Sequence, residues 1–259
     1  MKEPLIVADN VSLTYVLPDG FKSSIRTITG ILGRKIFGPQ RTYSALKNVD
    51  LTLRKGEMLG VIGKNGSGKS SLMQCMAGIY RPTQGEVKSK IRPFLLAGVG
   101  TGYSASLTGR ENLILYGSML GLTEEEVERL MPEMIDFSEL HEFIDEPMKI
   151  YSSGMKARLG ITGLATFKPD VMLIDEVLGV GDPTFKEKSQ KLIMDMIGNA
   201  STVMMASHSF NLLIDMCDRV LLMEDGEIKA IGDPTDVIDV FFGRKEPSDV
   251  SPTKRNLDK

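Results

Sequence analysis

Little in this sequence could hold a metal, a disulfide or a bilayer. Its 259 residues include only two cysteines and two histidines. Cys75 and Cys217 lie far apart and in no metal-binding spacing, and Cys75 falls inside an apolar helical pattern, so both read as reduced thiols in a cytosol. No uncharged apolar run approaches the roughly 18 residues that cross a bilayer, which leaves any membrane role peripheral. The opening Met1-Lys2-Glu3-Pro4 starts no apolar stretch of a secretory leader. Excess charge is missing too: a formal net charge of −3 argues against a protein that coats nucleic acid. There are no internal repeats. What remains, 42% hydrophobic and 25% charged, is ordinary globular composition, enough for one large domain or two small ones.

Against that plain background one stretch stands out. Gly63-Lys64-Asn65-Gly66-Ser67-Gly68-Lys69-Ser70 fits G-x-x-x-x-G-K-[ST], the phosphate-binding loop, with Ser71 in the same turn. It is the only such loop in the chain. The apolar run Met58–Ile62 before it has the pattern of a parallel strand buried on both faces. After it, Leu72, Cys75, Met76 and Ile79 recur at helical spacing. Strand, loop and helix in that order are the context the motif needs. Glycines let the backbone curl its N–H groups toward an anion, and the helix N-terminus adds partial positive charge. Lys69 is placed to reach the β- and γ-phosphates of a nucleotide, and the Ser70 hydroxyl to ligate Mg²⁺.

The rest of the chain reads as an α/β core interrupted by helices. Extended segments near 5–15 and 49–53 come first. Between them, residues 20–42 carry Lys22, Arg26, Arg34, Lys35 and Arg41 with no compensating glutamate, interleaved with Ile25, Ile28, Ile31, Leu32 and Ile36. A short basic amphipathic helix and a solvated loop both account for that pattern. From about 105 to 167 strand signals give way to helices, one opened by the capping box Thr123-Glu124-Glu125-Glu126 and expected to be kinked or shortened at Pro132. Strands return at 171–174 and 202–206, and 220–231 reads as a hairpin about Asp225-Gly226. Residues 1–243 make one nucleotide-binding domain on this reading. Residues 244–259, with two prolines and only Val250 and Leu257 as aliphatics, read as a disordered tail.

Four further places carry chemistry. The apolar strand Val171–Ile174 ends in Asp175-Glu176; a strand-end Asp beside a phosphate loop holds Mg²⁺, and Glu176 is then placed as the base for an attacking water. His208 follows another apolar strand, where ligands of parallel sheets gather, and is expected to donate to the γ-phosphate. Tyr15, after the first strand, has a face on which adenine could stack, although a strand tyrosine is more often packing. Ser152-Ser153-Gly154 reads as a helix N-terminus, either an ordinary cap or an anion site.

In this order the phosphate loop, Ser152-Ser153-Gly154, Asp175-Glu176, Val180-Gly181-Asp182 and His208 resemble the nucleotide-binding subunits of ABC transporters, over residues 4–243. The resemblance implies a P-loop ATPase core with an N-terminal antiparallel β subdomain and an inserted α-helical subdomain. It makes Tyr15 the adenine-stacking aromatic, Ser152-Ser153-Gly154 the signature that grips ATP bound to the other subunit, and Asp182 part of the loop joining the two sites. Leu107-Thr108-Gly109-Arg110-Glu111-Asn112, Tyr151-Ser152-Ser153-Gly154-Met155 and Asp175-Glu176-Val177-Leu178-Gly179-Val180-Gly181-Asp182 are similar to the exporters of bacterial surface polysaccharides: O-antigen, capsule and teichoic acid. That implies a homodimer binding ATP and Mg²⁺, peripheral on the cytoplasmic face of the inner membrane, with an integral membrane permease as partner, a lipid-linked polysaccharide as cargo and no nucleic acid. An importer subunit is the nearest alternative. A soluble ABC ATPase would need long heptads or two nucleotide domains, and a small-molecule kinase would leave 151–155 and His208 unused.

One departure from the family pattern stands out. Near residue 98, where relatives place a glutamine that senses Mg²⁺ and γ-phosphate, the chain reads Ala97-Gly98-Val99. The glycine-rich stretch 98–104 is expected to act as a hinge, with Thr101 or Ser104 the polar alternatives for a displaced sensor.

Overall fold

The computed structural model describes residues 2–16, 42–91, 93–97, 103–119, 121–166, 170–175 and 202–252. The basic segment before Thr42, the connector at 98–102, Glu176, Asp182 and residues 253–259 lie outside the described residues.

Strands β1 (Pro4–Val16), β2 (Thr42–Arg54) and β4 (Gln84–Ser89) form an antiparallel sheet in the order β2-β1-β4. On β1 the buried residues are Leu5 at its start, Ile6 and Ala8, then Val11 and Leu13. The inward positions change parity at Asn10, which takes φ +50 beside a register shift, so a bulge returns the apolar residues to one face. A six-stranded sheet has the order β5 (Phe94–Ala97), β6 (Val171–Asp175), β7 (Thr202–Ala206), β3 (Met58–Ile62), β8 (Arg219–Glu224), β9 (Glu227–Gly232). All its pairings are parallel except the β8–β9 hairpin. Helix α1 (Lys69–Met76) lies between the two sheets, with Leu72, Met73, Cys75 and Met76 inside. Burial pushes the Cys75 thiol up to about 11, so it stays protonated, and Cys217 is likewise buried and outside any disulfide. Ile79, read as part of that helix, lies past its end and is exposed.

The helical block is α2 (Gly109–Met119), α3 (Glu124–Ser138) and α4 (Ser153–Thr166). It sits in the connection between β5 and β6, which are direct parallel neighbours, and it has its own core around Leu113, Val127, Met134 and Leu159. The expected α/β core with an antiparallel N-terminal sheet and inserted helices is therefore present. Thr123 and Glu126 form the reciprocal capping box. Helix α3 nevertheless runs on through Pro132 to Ser138, so the expected shortening does not occur. Pro132 lies on the exposed face, where water can take the carbonyl that loses its helical partner.

After α5 (Phe210–Met216) and the β8–β9 hairpin comes α6 (Pro234–Phe241). The reading of a tail without structure from residue 244 onward is corrected here for 244–252. Lys245 pairs with Asp236 at 2.8 Å, the Ser251 amide donates to Asp236 at 3.0 Å, and the Asp233 amide donates to the Ser251 carbonyl at 2.8 Å. Val250 packs against the core cluster of Val237 and Ile238. Lys245 and Ser251 hold Asp236 well below the usual carboxylate range, at about 2. Composition missed this strap because polar and backbone bonds to the helix just before it hold it, with a single apolar anchor.

Candidate functional site: the phosphate loop and its neighbours

The loop joining β3 to α1 takes positive φ at Gly63 (149°), Gly66 (82°) and Gly68 (106°). Two of these also have no room for a side chain. A Cβ on Gly63 would lie 2.3 Å from the Met223 carbonyl oxygen, and one on Gly68 would lie 2.6 Å from that of Ala45. At Gly66 a Cβ would meet nothing within 4 Å, so its side of the loop is open. The back of the loop thus rests on β2 and β8. The turn after β8 fastens it: the Gly226 amide donates to the Ser67 carbonyl at 3.0 Å, and the Lys47 amide donates to the Gly226 carbonyl at 2.9 Å.

Lys69 folds over the loop and donates from Nζ to the carbonyls of Gly63 (2.8 Å) and Lys64 (3.1 Å). Ser67 Oγ is buried with no hydrogen-bond partner. A cavity of about 360 Å³ opens beside Asn65, Gly66, Gly68, Lys69, Ser70 and Ser71 and reaches Tyr43. An open glycine cradle at a helix N-terminus, a lysine ammonium lying over it and an orphaned hydroxyl fit a nucleotide's phosphates. For Mg²⁺ the fit rests on oxygen donors: Ser70 is exposed in the first turn of α1, and Asp175 is half-exposed at the end of β6. One hydroxyl and one carboxylate leave the remaining positions to water and phosphate, as Mg²⁺ prefers.

The C-terminal ends of β3, β7 and β6 lie side by side, so the phosphate loop, His208 and Asp175 share one edge of the sheet. Asp175 pairs in register with Ala206, two residues before His208. At ~4.8 Å per strand the loop and the Asp175 strand are about 10 Å apart, a span that triphosphate, ion and water can bridge. His208 is exposed. Ser152 caps α4, its Oγ accepting from the Met155 amide at 3.2 Å, while Ser152 and Ser153 are exposed and Gly154 half-exposed. None of the three lines the phosphate-loop cavity of the same chain. Tyr151, by contrast, is buried and donates its hydroxyl to the Phe143 carbonyl, anchoring this turn.

Tyr15 packs edge-on against Tyr80, ring centroids 5.8 Å apart, and its hydroxyl lies 3.1 Å from Ser71 Oγ. The ring lining the cavity is Tyr43, which sequence reasoning passed over. It pairs with Tyr15 across the β1–β2 ladder, is 47% exposed, and donates its hydroxyl to the Gly66 carbonyl at 3.1 Å. Only the strand register brings Tyr43 to the site; nothing local in the sequence marks it.

A strand–glycine loop–helix with a strand-end aspartate and histidine at the same sheet edge defines a P-loop nucleotide-binding protein. The profile of the ABC transporter family matches residues 46–179, and the chain belongs to that family. Among curated proteins it is 37% identical over 247 residues to the O-antigen export system ATP-binding protein RfbB of Klebsiella pneumoniae, covering 92% of this chain and 98% of the relative. It is 42% identical over 199 residues to the teichoic acids export ATP-binding protein TagH of Lactococcus lactis subsp. lactis (strain IL1403), spanning 77% of this chain but 42% of that longer protein. Its fold is that of the solved ATP-binding subunit of an ABC transporter, with TM-score 0.65, 22% identity and coverage of 93% and 94%. A dimeric ATP-binding cassette in a post-hydrolysis state, bound to ADP and Pi, matches with TM-score 0.64 and 22% identity over 89% of this chain and 99% of that one.

Proposed function

We propose that this chain is the ATP-hydrolysing subunit of an exporter that moves a lipid-linked surface polysaccharide, O-antigen or a related capsule or teichoic acid polymer, across the inner membrane. It works as a homodimer at the cytoplasmic face, beneath an integral membrane permease. The observation that carries this reading is the match to the O-antigen export protein over nearly the full length of both chains.

In this reading the amides of residues 63–69 and the Lys69 ammonium bind the β- and γ-phosphates, and the base lies toward the tyrosines at 15 and 43. Ser70 and Asp175 hold Mg²⁺, which would screen charge on the phosphates. Glu176 takes the proton of the attacking water, and His208 donates to the γ-phosphate. Each chain has one phosphate loop and one Ser152-Ser153-Gly154 turn. A complete site draws the loop from one copy and the turn, with Asp182 beside the junction, from the other. ATP then favours the closed dimer and its products the open one, and this difference in affinity drives the permease.

The test is ATP-dependent loss of lipid-linked polysaccharide from the cytoplasmic face of inverted vesicles holding the permease and this chain. Transport with the wild-type chain and none with Lys69→Ala is expected. ATP turnover without movement of any polysaccharide, or co-purification with an importer's permease, would contradict the export reading.

A further inference from the structure

Three aromatic rings join the core sheet to the helix that begins at Ser153. Phe94, on β5, meets Tyr116 of α2 edge-on, with centroids 5.7 Å apart and planes at 88°. Tyr116 meets Tyr103 the same way, at 5.4 Å and 75°. The Tyr103 hydroxyl then donates to the carbonyl of Leu159 in α4 at 3.3 Å. Gly163, one turn further along α4, makes this approach possible. A Cβ there would lie 2.9 Å from the Tyr103 hydroxyl and 3.0 Å from the Tyr116 ring. Among the described residues Tyr116 alone packs against both the core cluster around Phe94 and the helical cluster around Leu113.

Both ends of this chain of contacts reach the chemistry. Phe94 is in register with Met172 on β6, the strand that ends at Asp175. Leu159 lies six residues into the helix capped by Ser152, about 9 Å along its axis from Ser153. The end of Tyr103's segment is also tied to the block. Buried Asn112 accepts from the Ser104 amide at 2.7 Å and donates to the carbonyls of Ser104, Leu107 and Thr108. Residues 103–108 therefore belong with the helices, and the rings carry the position of the sheet edge to α4. Burial raises the Tyr103 and Tyr116 phenols further above their ordinary range, so both stay neutral donors at any working pH.

We propose that Tyr103 is a positioning residue for ATP hydrolysis. With Tyr116 it sets the angle at which α4 presents Ser152-Ser153-Gly154 to the nucleotide held by the partner subunit. The inference rests on the composite-site reading above. It assigns to Tyr103 no contact with ATP, only control over how well the turn meets it.

The test uses full-length mixed dimers carrying two affinity tags. One copy bears Lys69→Ala and supplies only its Ser152–Gly154 turn; the other bears Ser153→Arg and supplies only its phosphate loop. Tyr103→Phe keeps the ring and removes the hydroxyl. Placed in the turn-supplying copy, it should lower kcat about two- to tenfold, the factor one hydrogen bond of ordinary net strength carries, with KM for ATP unchanged. Placed in the loop-supplying copy, it should change neither constant. Gly163→Ala should show the same asymmetry. Equal loss from either placement, or loss from neither, overturns the role of Tyr103. A parent mixed dimer with no activity at all would instead overturn the composite site on which the role depends.

Discussion

The amide of Gly226 donates to the carbonyl of Ser67 at 3.0 Å, so the turn of a C-terminal hairpin holds the phosphate loop more than 150 residues away in sequence. Gly226 has φ +84, and a Cβ there would lie 2.8 Å from the Ala45 carbonyl oxygen. Gly66 has nearly the same φ, +82, but open space around it. Both Gly66→Ala and Gly226→Ala meet the left-handed penalty of about 1–2 kcal/mol. Only Gly226→Ala also meets a backbone oxygen. Thermal melts without nucleotide should therefore rank Gly226→Ala below Gly66→Ala, and Gly226→Ala should also weaken nucleotide binding. Equal melting points would show that the turn yields to the added methyl.

The strap at 244–252 makes stability depend on acid. The Asp236 carboxyl is depressed from 3.8 to about 2 by Lys245 and the Ser251 amide. A depressed carboxylate contributes stability above its unfolded pKa, and that contribution is lost as pH falls through its folded value. Asp236→Asn should thus be less stable than the parent at pH 7, with the gap closing between about pH 4 and pH 2. Denaturant titrations at several pH values will measure it. A gap that persists unchanged to the lowest pH would assign the loss to packing rather than charge.

That strap also marks where the sequence stops being legible. The phosphate loop could be read because its chemistry is local: glycine at fixed offsets, then Lys69 and Ser70. The strand near 49–53 could be read from alternation and those at 58–62, 171–174 and 202–206 from apolar runs, but β4, exposed along most of its length, and the short β5 give no such signal. Tyr43 could not, because it reaches the cavity through its pairing with Tyr15 across two strands separated in sequence. Nor could residues 244–252, whose partners Asp233 and Asp236 look like ordinary helix-start acids. Pro132 does not shorten its helix, since a local rule for ending helices yields when the lost bond faces water.

Tyr43 should matter to nucleotide affinity. Its ring borders the cavity and its hydroxyl reaches the Gly66 carbonyl. Tyr43→Ala should weaken ATP binding about tenfold, the scale of one base–aromatic contact, and Tyr43→Phe by less. Titration with a fluorescent ATP analogue distinguishes them. Unchanged affinity in Tyr43→Ala would leave Tyr15 as the sole candidate platform.

Ser104 is a poor substitute for the glutamine that the family resemblance leads one to expect near residue 98. Its Oγ lies 2.8 Å from that of Ser106, and its backbone is bound by Asn112 on both sides. Ser104→Ala should leave Mg²⁺-dependent hydrolysis nearly unchanged. Asn112→Ala, which strands the Ser104 amide while the carbonyls of Ser104, Leu107 and Thr108 keep their backbone donors, should cost about 1–3 kcal/mol of stability. Loss of Mg²⁺ dependence in Ser104→Ala would make Ser104 the displaced sensor.

The most direct measurement on the whole account is single-turnover hydrolysis by Glu176→Gln, run beside its sedimentation with and without ATP. If Glu176 is the base of a composite site, the mutant binds ATP, hydrolyses it about 10²–10⁴-fold more slowly, and accumulates as an ATP-bound dimer. Undiminished turnover, or a mutant that stays monomeric while saturated with ATP, would contradict it.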